Sequence, residues 1–500
     1  MAGDSLTQGL EPQAFDEGFF AASARDWRRG LDQRKYSARE LLEAVWARIL
    51  LRNPPVNALA AYDYEAALRA ADAADIRLLR GEARALEGLP ITIKDSFETV
   101  GLTTSCGAEE LAEHLPAEDA LAVARLRAAG AVILAKSNVP RLTGDFQTAN
   151  ALFGVTCNPY DLQRSPGGSS GGAAAAVASG FCAFELGSDL GGSIRWPAHA
   201  CGVFGLKASW GQIPLFGHIP PLPAMRLKNP PELAVAGPLA RSAGDLDLVL
   251  AATAGPINAQ GPAFLRKPRK TGPEGLRLAL WFDDDFAPVD EGVSAAVRLA
   301  AECLRNSGAE VIEEARPAFA FAEAFEIYTV LNFAMGLAGM ERDLRDEIAA
   351  RASSFDADDP SYRAMQARAA RLDAATFGRM VERRSWIRQA FAAFFRDYDA
   401  ILCPPAPCRA IPHDATPDFF ARRIETSAGS LPYFDLLKWA SLASLANLPA
   451  AVAPVSFDGG GLPGGVQIIC AFDEDRSATA IAAMLEQRLA GFVAPQAFAK

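Results

Sequence analysis

Histidine is scarce in this 500-residue chain: His114, His199, His218 and His413 are all there are. Metal centres and Ser-His-Asp hydrolases both usually draw on histidine, so either reading has few residues to use. Cysteine builds no scaffold. The eight cysteines are scattered at 106, 157, 182, 201, 303, 403, 408 and 470, with no CxxC pair. So dilute a set does not make a disulfide framework, and a reducing compartment, the cytoplasm, is expected. Long apolar runs are missing too: the best stretch, Leu442 to Phe457, is broken by Pro449 and Pro454, and no membrane span is expected. Positive charge is in deficit, with 49 Lys and Arg against 60 Asp and Glu. A net charge of -11 without a basic stripe argues against nucleic acid as a partner. The opening "MAGDSLTQGLEPQAFDEGFF" lacks the basic and apolar regions of a secretory signal, and residues 1–15 read as a flexible leader.

What is present is ample core material, with 50% of residues hydrophobic. The length exceeds the usual single-core size of about 250–300 residues, so one very large domain or two are expected. Ser37 and Glu40 form a capping box ahead of a helical run, and a second helix over about 64–80 stops at Gly81. "LPITIKD" alternates as a half-buried strand with Lys94 near its end. A helix over about 118–129 and the apolar strand "AVILAK" complete a parallel βαβ unit. "FCAFELG" reads as the next strand, 211–232 as a long Pro-rich loop, 276–315 as another α/β unit and 318–398 as a helical block. The tail alternates helix and strand, with Gly459–Gly461 and Gly464–Gly465 as turns.

The stretch "RSPGGSSGGAAAAVASG" frames Ser169 and Ser170 with four glycines and then enters a helix. Such a cluster fits an anion-cradling turn, a nucleophile turn or a tight backbone crossing. "GDSLTQG" near the start resembles an esterase serine block, but no strand precedes it and no histidine has Asp three positions earlier. Gly167 to Gly171 also fits a G-x-S-x-G elbow, for which His413 is the one late histidine. A phosphate loop would need a following Gly-Lys-Ser/Thr, which is absent. A third reading uses more of the chain: Lys94, Ser169 and Ser193 all sit at element ends. A buried lysine can serve as the base a serine needs, because desolvation favours its neutral form. Neutrality near pH 7 requires a fall of roughly three pH units, about 4 kcal/mol. Gly191 and Gly192 would present backbone N–H groups beside Ser193, as an oxyanion hole requires. The plainer alternative is that Lys94 pairs with Asp95 or another carboxylate.

"GLPITIKDSF", "RSPGGSSGGAAAAVASG" and "GSDLGGSIRWPAHACGVFGLKAS" together resemble the amidase signature family of Ser-cisSer-Lys amide hydrolases. Ser169 and Ser193 lie 24 positions apart, as the family's two catalytic serines do. Similarity covers about 16–255 and returns at 400–487. The resemblance implies one large α/β domain over 16–490, a mixed sheet covered by helices on both faces, with variable substrate-facing parts at 211–232 and 318–398. It implies Ser193 as nucleophile, Lys94 as ultimate base, and Ser169 as bridging serine after a cis peptide bond from Gly168. Ser170 would hydrogen-bond within the site. Leu190, Gly191, Gly192 and Ser193 would supply the oxyanion N–H groups, with Asp189 and Arg195 bracing the loop. Neither metal nor cofactor is implied.

Some positions depart from the family pattern. Ser188 stands where Thr is commoner, "LKAS" replaces Leu-Lys-Pro-Thr, and Arg141 replaces a frequent Glu, which bears on a local salt bridge or the pocket rim. His199 and Cys201 read as packing residues. Phe216, Ile219, Leu222, Met225, Phe321, Phe325, Tyr328, Phe333 and Met335 suit either an apolar pocket or core. The leading expectation is a free-standing amidase acting on an apolar or aromatic small-molecule amide, as monomer or homodimer, without a membrane anchor. The alternatives are the glutaminase subunit of a tRNA-dependent amidotransferase, which needs partner subunits, and a catalytically idle binding protein on the same fold.

Overall fold

Apolar segments between turn signals become eleven strands of one mixed sheet in a computed structural model of the protein. The structure describes residues 15–220, 222–223, 231–256, 265–338, 340–356 and 358–496. Residues 1–14 of the 1–15 leader, the "GDSLTQG" block and Met225 lie outside the described residues, while Phe15 is not loose but packs against Phe19 and Tyr36. In chain order the strands are β1 (Leu59–Tyr62), β2 (Pro90–Lys94), β3 (Val132–Ser137), β4 (Phe184–Asp189), β5 (Phe204–Lys207), β6 (Val235–Ala240), β7 (Arg277–Leu280), β8 (Glu310–Ile312), β9 (Ala400–Cys403), β10 (Ala450–Phe457) and β11 (Pro463–Ile469). Across the sheet they run β1-β3-β2-β4-β6-β5-β10-β11-β9-β7-β8. β2 is parallel to β3 and β4, and β7 is parallel to β8 and β9; the other neighbours are antiparallel. Helices pack on this sheet to make one large α/β domain.

Local signals act as the sequence suggests. Ser37 and Glu40 exchange capping-box hydrogen bonds at the start of Ala38–Val56, and Tyr64–Arg80 stops at Gly81 with φ +72°. β2 differs from the half-buried reading, for all five residues are buried. It lies between β3 and β4, and the Gly171–Ala178 helix packs over it, so its polar face is covered as well. Gly464 and Gly465 lie inside β11 rather than in a turn. A Cβ at Gly465 would come within 2.7 Å of the Ala453 carbonyl oxygen on β10, so glycine there permits a close cross-strand approach. The 318–398 block resolves into Phe321–Ala338, Arg342–Ala350, Tyr362–Ala370 and Ala374–Phe394.

Two features of this arrangement position the site. The parallel strands β2 and β4 end side by side, bringing Lys94 to Ser188 and Asp189. The loop after β5 is pinned to the segment following β2: Glu98 N–H donates to Gly217 O at 2.9 Å and Ile219 N–H to Ser96 O at 2.7 Å.

Candidate active site

Lys94 closes β2 with its ammonium-bearing chain fully buried, at 0% exposure. Its Nζ lies 2.8 Å from Ser169 Oγ, 3.0 Å from Ser188 Oγ and 3.3 Å from the Ser188 carbonyl oxygen. Asp95 is not its partner. That carboxylate is 3.3 Å from Lys136 Nζ and accepts from Ser105 Oγ at 2.7 Å. Burial pulls the Lys94 amine down to about 7, against the opposing pull of Cys106, Asp189 and Glu185. The lysine is thus poised between amine and ammonium near neutrality, as a proton acceptor needs.

The glycine-framed stretch is explained by close approach. A Cβ at Gly168 would come within 2.7–2.8 Å of backbone atoms of Asp145, Phe146 and Gln147. The Gly168–Ser169 peptide bond is cis. Ser170 precedes the helix Gly171–Ala178; its N–H donates to the Ser193 carbonyl at 3.1 Å, and its hydroxyl to Ser188 O at 3.2 Å. The two serine turns are therefore stitched together. Ser193 is the most open of the group at 9% exposure, whereas Ser169 is at 1%.

Asp189 ends β4 and organises the second turn. Its oxygens accept from Gly192 N–H at 2.8 Å and Ile194 N–H at 3.1 Å. Arg195 adds Nε at 3.0 Å and Nη2 at 2.9 Å, and continues to Ala440 O, Gln467 and Ser444. Burial alone would raise the Asp189 carboxyl, but the Arg195 guanidinium, with Lys207 and the Ile194 N–H, outweighs it and holds the group well below the usual carboxylate range. Gly192 departs from the expected set of four oxyanion donors, because its N–H is directed into Asp189. Gly192 adopts φ +93°, where glycine is favoured. Leu190 offers its carbonyl to the Tyr328 hydroxyl at 3.0 Å.

Around Gly191 stand Leu437, Tyr328 and Phe146, part of an apolar cluster with Leu190 and Phe434. Phe321, Phe325 and Tyr328 are core residues of that cluster, and Ile219 packs with Cys106 and Val139. Phe333 is partly buried and meets Phe434 and Phe420 edgewise or tilted. Leu222 is exposed. Arg141 is paired on the surface with Glu110 at 2.7 Å. His199 and Cys201 are packed: the His199 ring sits between Cys408 O and Gly465 N–H, and burial depresses it to about 3. His413 is bonded through its backbone N–H to Gln163 O and lies apart from these contacts.

One neighbour of Ser188 escaped the sequence reading. His218, from the loop after β5, places Nε2 2.9 Å from Ser188 Oγ and Nδ1 3.2 Å from Pro220 O. The sole signal available was a histidine in a Pro-rich loop, which carries no register to β4. Among the described residues no group of three His, Cys, Asp or Glu could hold a metal ion, and no helix is long and apolar enough to cross a membrane.

The amidase family model matches residues 40–477. A glutamyl-tRNA(Gln) amidotransferase subunit from Roseiflexus castenholzii is 36% identical over 472 residues, covering 90% of this chain and 92% of the relative. Among solved structures, a crystal structure of an amidase is 30% identical with TM-score 0.76, covering 94% of this chain and 100% of that one. A chain from a vestigial protein complex bearing on the origins of an s-triazine catabolic enzyme is also 30% identical, with TM-score 0.76 and coverage of 93% and 98%. With the family match spanning every strand of the sheet, the chain belongs to the amidase signature family, enzymes that hydrolyse amide C–N bonds.

Proposed function

We propose that the chain hydrolyses a carboxylic amide through an acyl-enzyme on Ser193, with Ser169 and Lys94 as the proton relay. The observation that carries this reading is the buried Lys94 Nζ, 2.8 Å from Ser169 Oγ, in a turn hydrogen-bonded to Ser193. Ser193 gives its proton to Ser169 Oγ while Ser169 gives its own to Lys94 Nζ, and Ser193 Oγ attacks the carbonyl carbon. The backbone N–H groups of Leu190, Gly191 and Ser193 receive the developing oxyanion. The proton then returns through Ser169 to the leaving nitrogen as the C–N bond breaks. Water repeats the sequence on the ester and releases the acid. Ser170, Asp189 and Arg195 hold the two turns in register, Gly168 admits the close crossing, and residues 16–490 act as one catalytic unit. The eight free cysteines suit a cytoplasmic protein.

For the substrate, the wall made by Phe146, Leu190, Tyr328, Phe434 and Leu437 supports an apolar or aromatic amide. Charged groups on those same segments are already paired: Asp145 with Arg422 and Tyr433, Asp435 with Lys438 and Tyr362. A zwitterionic amino acid would need such groups for its own charges. The likeness to glutamyl-tRNA(Gln) amidotransferase subunits favours the second reading, glutamine hydrolysis by a protein that works with partners. A panel of aliphatic amides, aryl amides, anilides and glutamine, with wild type and Ser193→Ala, tests both. Turnover of apolar amides that is lost in the variant is expected. Glutamine as the sole substrate, hydrolysed to glutamate and ammonia only with co-purified subunits, would establish the second reading, and full activity of Ser193→Ala would refute the nucleophile assignment.

A further inference from the structure

Lys94 has a second hydroxyl neighbour, and that hydroxyl has a histidine behind it. The chain Lys94 Nζ, Ser188 Oγ, His218 Nε2 has spacings of 3.0 and 2.9 Å, and it ends with His218 Nδ1 3.2 Å from Pro220 O. Its direction follows from the last link. A carbonyl only accepts, so Nδ1 carries the proton and donates to Pro220. Nε2 of the neutral ring is then an acceptor, and the Ser188 hydroxyl must donate to it. With its one proton turned towards His218, Ser188 Oγ can only accept from Lys94.

We propose that His218 is a positioning residue for the relay: acting through Ser188, it keeps the lone pair of neutral Lys94 directed at Ser169. The inference rests on the reading of Lys94 as the base. Neutral Lys94 has two N–H groups, and Ser188 offers two acceptors, Oγ and the backbone carbonyl. The remaining lone pair faces Ser169 Oγ. After proton uptake the third N–H points at Ser169, and all three ammonium hydrogens have an acceptor. Without His218, the Ser188 hydroxyl is free to turn and donate to the lysine lone pair, competing with Ser169 for the base. It also becomes a poorer acceptor for the ammonium, since hydrogen bonds in a chain polarise one another.

The loop fixes the ring in place. His218 pairs with Phe97 in an isolated bridge, and the rings meet edge to face at 4.8 Å. The charged groups acting on it are Lys94 from β2 and Lys136 from β3. The neighbouring carboxylates are turned elsewhere, Asp95 to Lys136 and Glu98 to His114. Burial and the two lysines depress the ring to about 3, so it stays neutral over the working range, opposed only by its bond to Pro220.

A fluorophosphonate probe reads the relay independently of the natural substrate: Ser193 Oγ bonds to phosphorus, fluoride leaves, and the hydroxyl proton passes to Lys94. Labelling rates between pH 5 and 9 are compared for wild type, His218→Phe, His218→Gln, Ser188→Ala and the Ser188→Ala/His218→Phe double variant. Phe keeps the edge contact with Phe97 but cannot accept. It is expected to slow labelling about tenfold, the loss of one hydrogen bond of about 1.4 kcal/mol, and to move the acid limb to lower pH. Gln, whose Oε1 can accept from Ser188, is expected to stay within about threefold of wild type. Ser188→Ala should show the same slowing, and adding His218→Phe to it should change nothing more. Wild-type labelling by Ser188→Ala or by His218→Phe overturns the proposal, as do equal losses for Phe and Gln or an undiminished His218→Phe effect in the double variant. Ser188→Ala leaves the loop intact, so it decides the matter even if His218→Phe folds poorly. Ser193→Ala is the control for the relay itself: undiminished labelling there would defeat the acyl-enzyme reading, whereas its loss beside a wild-type His218→Phe would defeat only this one.

Discussion

At the scale of single residues, the proposed chemistry rests on a lysine taken out of water. Burial brings the Lys94 amine down to about 7, so the neutral base dominates above that pH and the ammonium below it. Amide turnover is therefore expected to rise with pH through about 7. A rate profile for Lys94→Ala should lose that limb and fall by on the order of 10²-fold or more, the usual worth of a positioned general base. A profile flat across pH 6–8 in the wild type would show that the base is another group. That Lys94 meets Ser169 and that the two serine turns come together was legible in the sequence because each sits in a motif of fixed spacing. His218 was not, because its meeting with Ser188 depends on how a loop 30 positions downstream folds against Phe97.

At the scale of elements, two turns and the parallel strands β2 and β4 make the site. The turn after β4 is shaped by Asp189, which gathers Gly192 N–H, Ile194 N–H and the fully buried Arg195. Replacing Asp189 by Asn puts an amide N–H₂ where two donors already point and leaves the guanidinium without its counter-charge. Breaking a buried pair in this way costs about 3–5 kcal/mol. Urea unfolding of Asp189→Asn should show a loss of that order, with labelling of Ser193 suppressed even where the protein remains folded. Wild-type stability would mean that Gln467, Ser444 and the Ala440 carbonyl suffice for Arg195. The resemblance named Asp189 and Arg195 as braces but also counted Gly192 among the oxyanion donors. Which N–H the carboxylate takes is set by the φ +93° turn, and residue identity alone does not reveal it.

At the scale of the whole molecule, capped helices and apolar strands were readable because their signals are local: the Ser37–Glu40 box, the Gly81 stop, the continuous apolar β3. Strand order was not, since β10 and β11, late in the chain, enter the middle of the sheet beside β5. Burial of β2 on every residue likewise depends on strands and a helix distant in the chain, which alternation cannot report. The apolar residues of 211–232 and 318–398 looked the same whether they line a pocket or fill core. In the fold Phe321, Phe325 and Tyr328 are buried in one cluster with Leu437, against which Phe146, Leu190 and Phe434 pack partly buried, and Tyr328 alone of those three also reaches Gly191, beside Leu437 and Phe146. The most direct test of the nucleophile is to label the intact protein with a fluorophosphonate, digest it and locate the adduct by mass spectrometry. A single adduct on Ser193 is the expected result; an adduct on Ser169 or Ser170, with Ser193 unmodified, would contradict it.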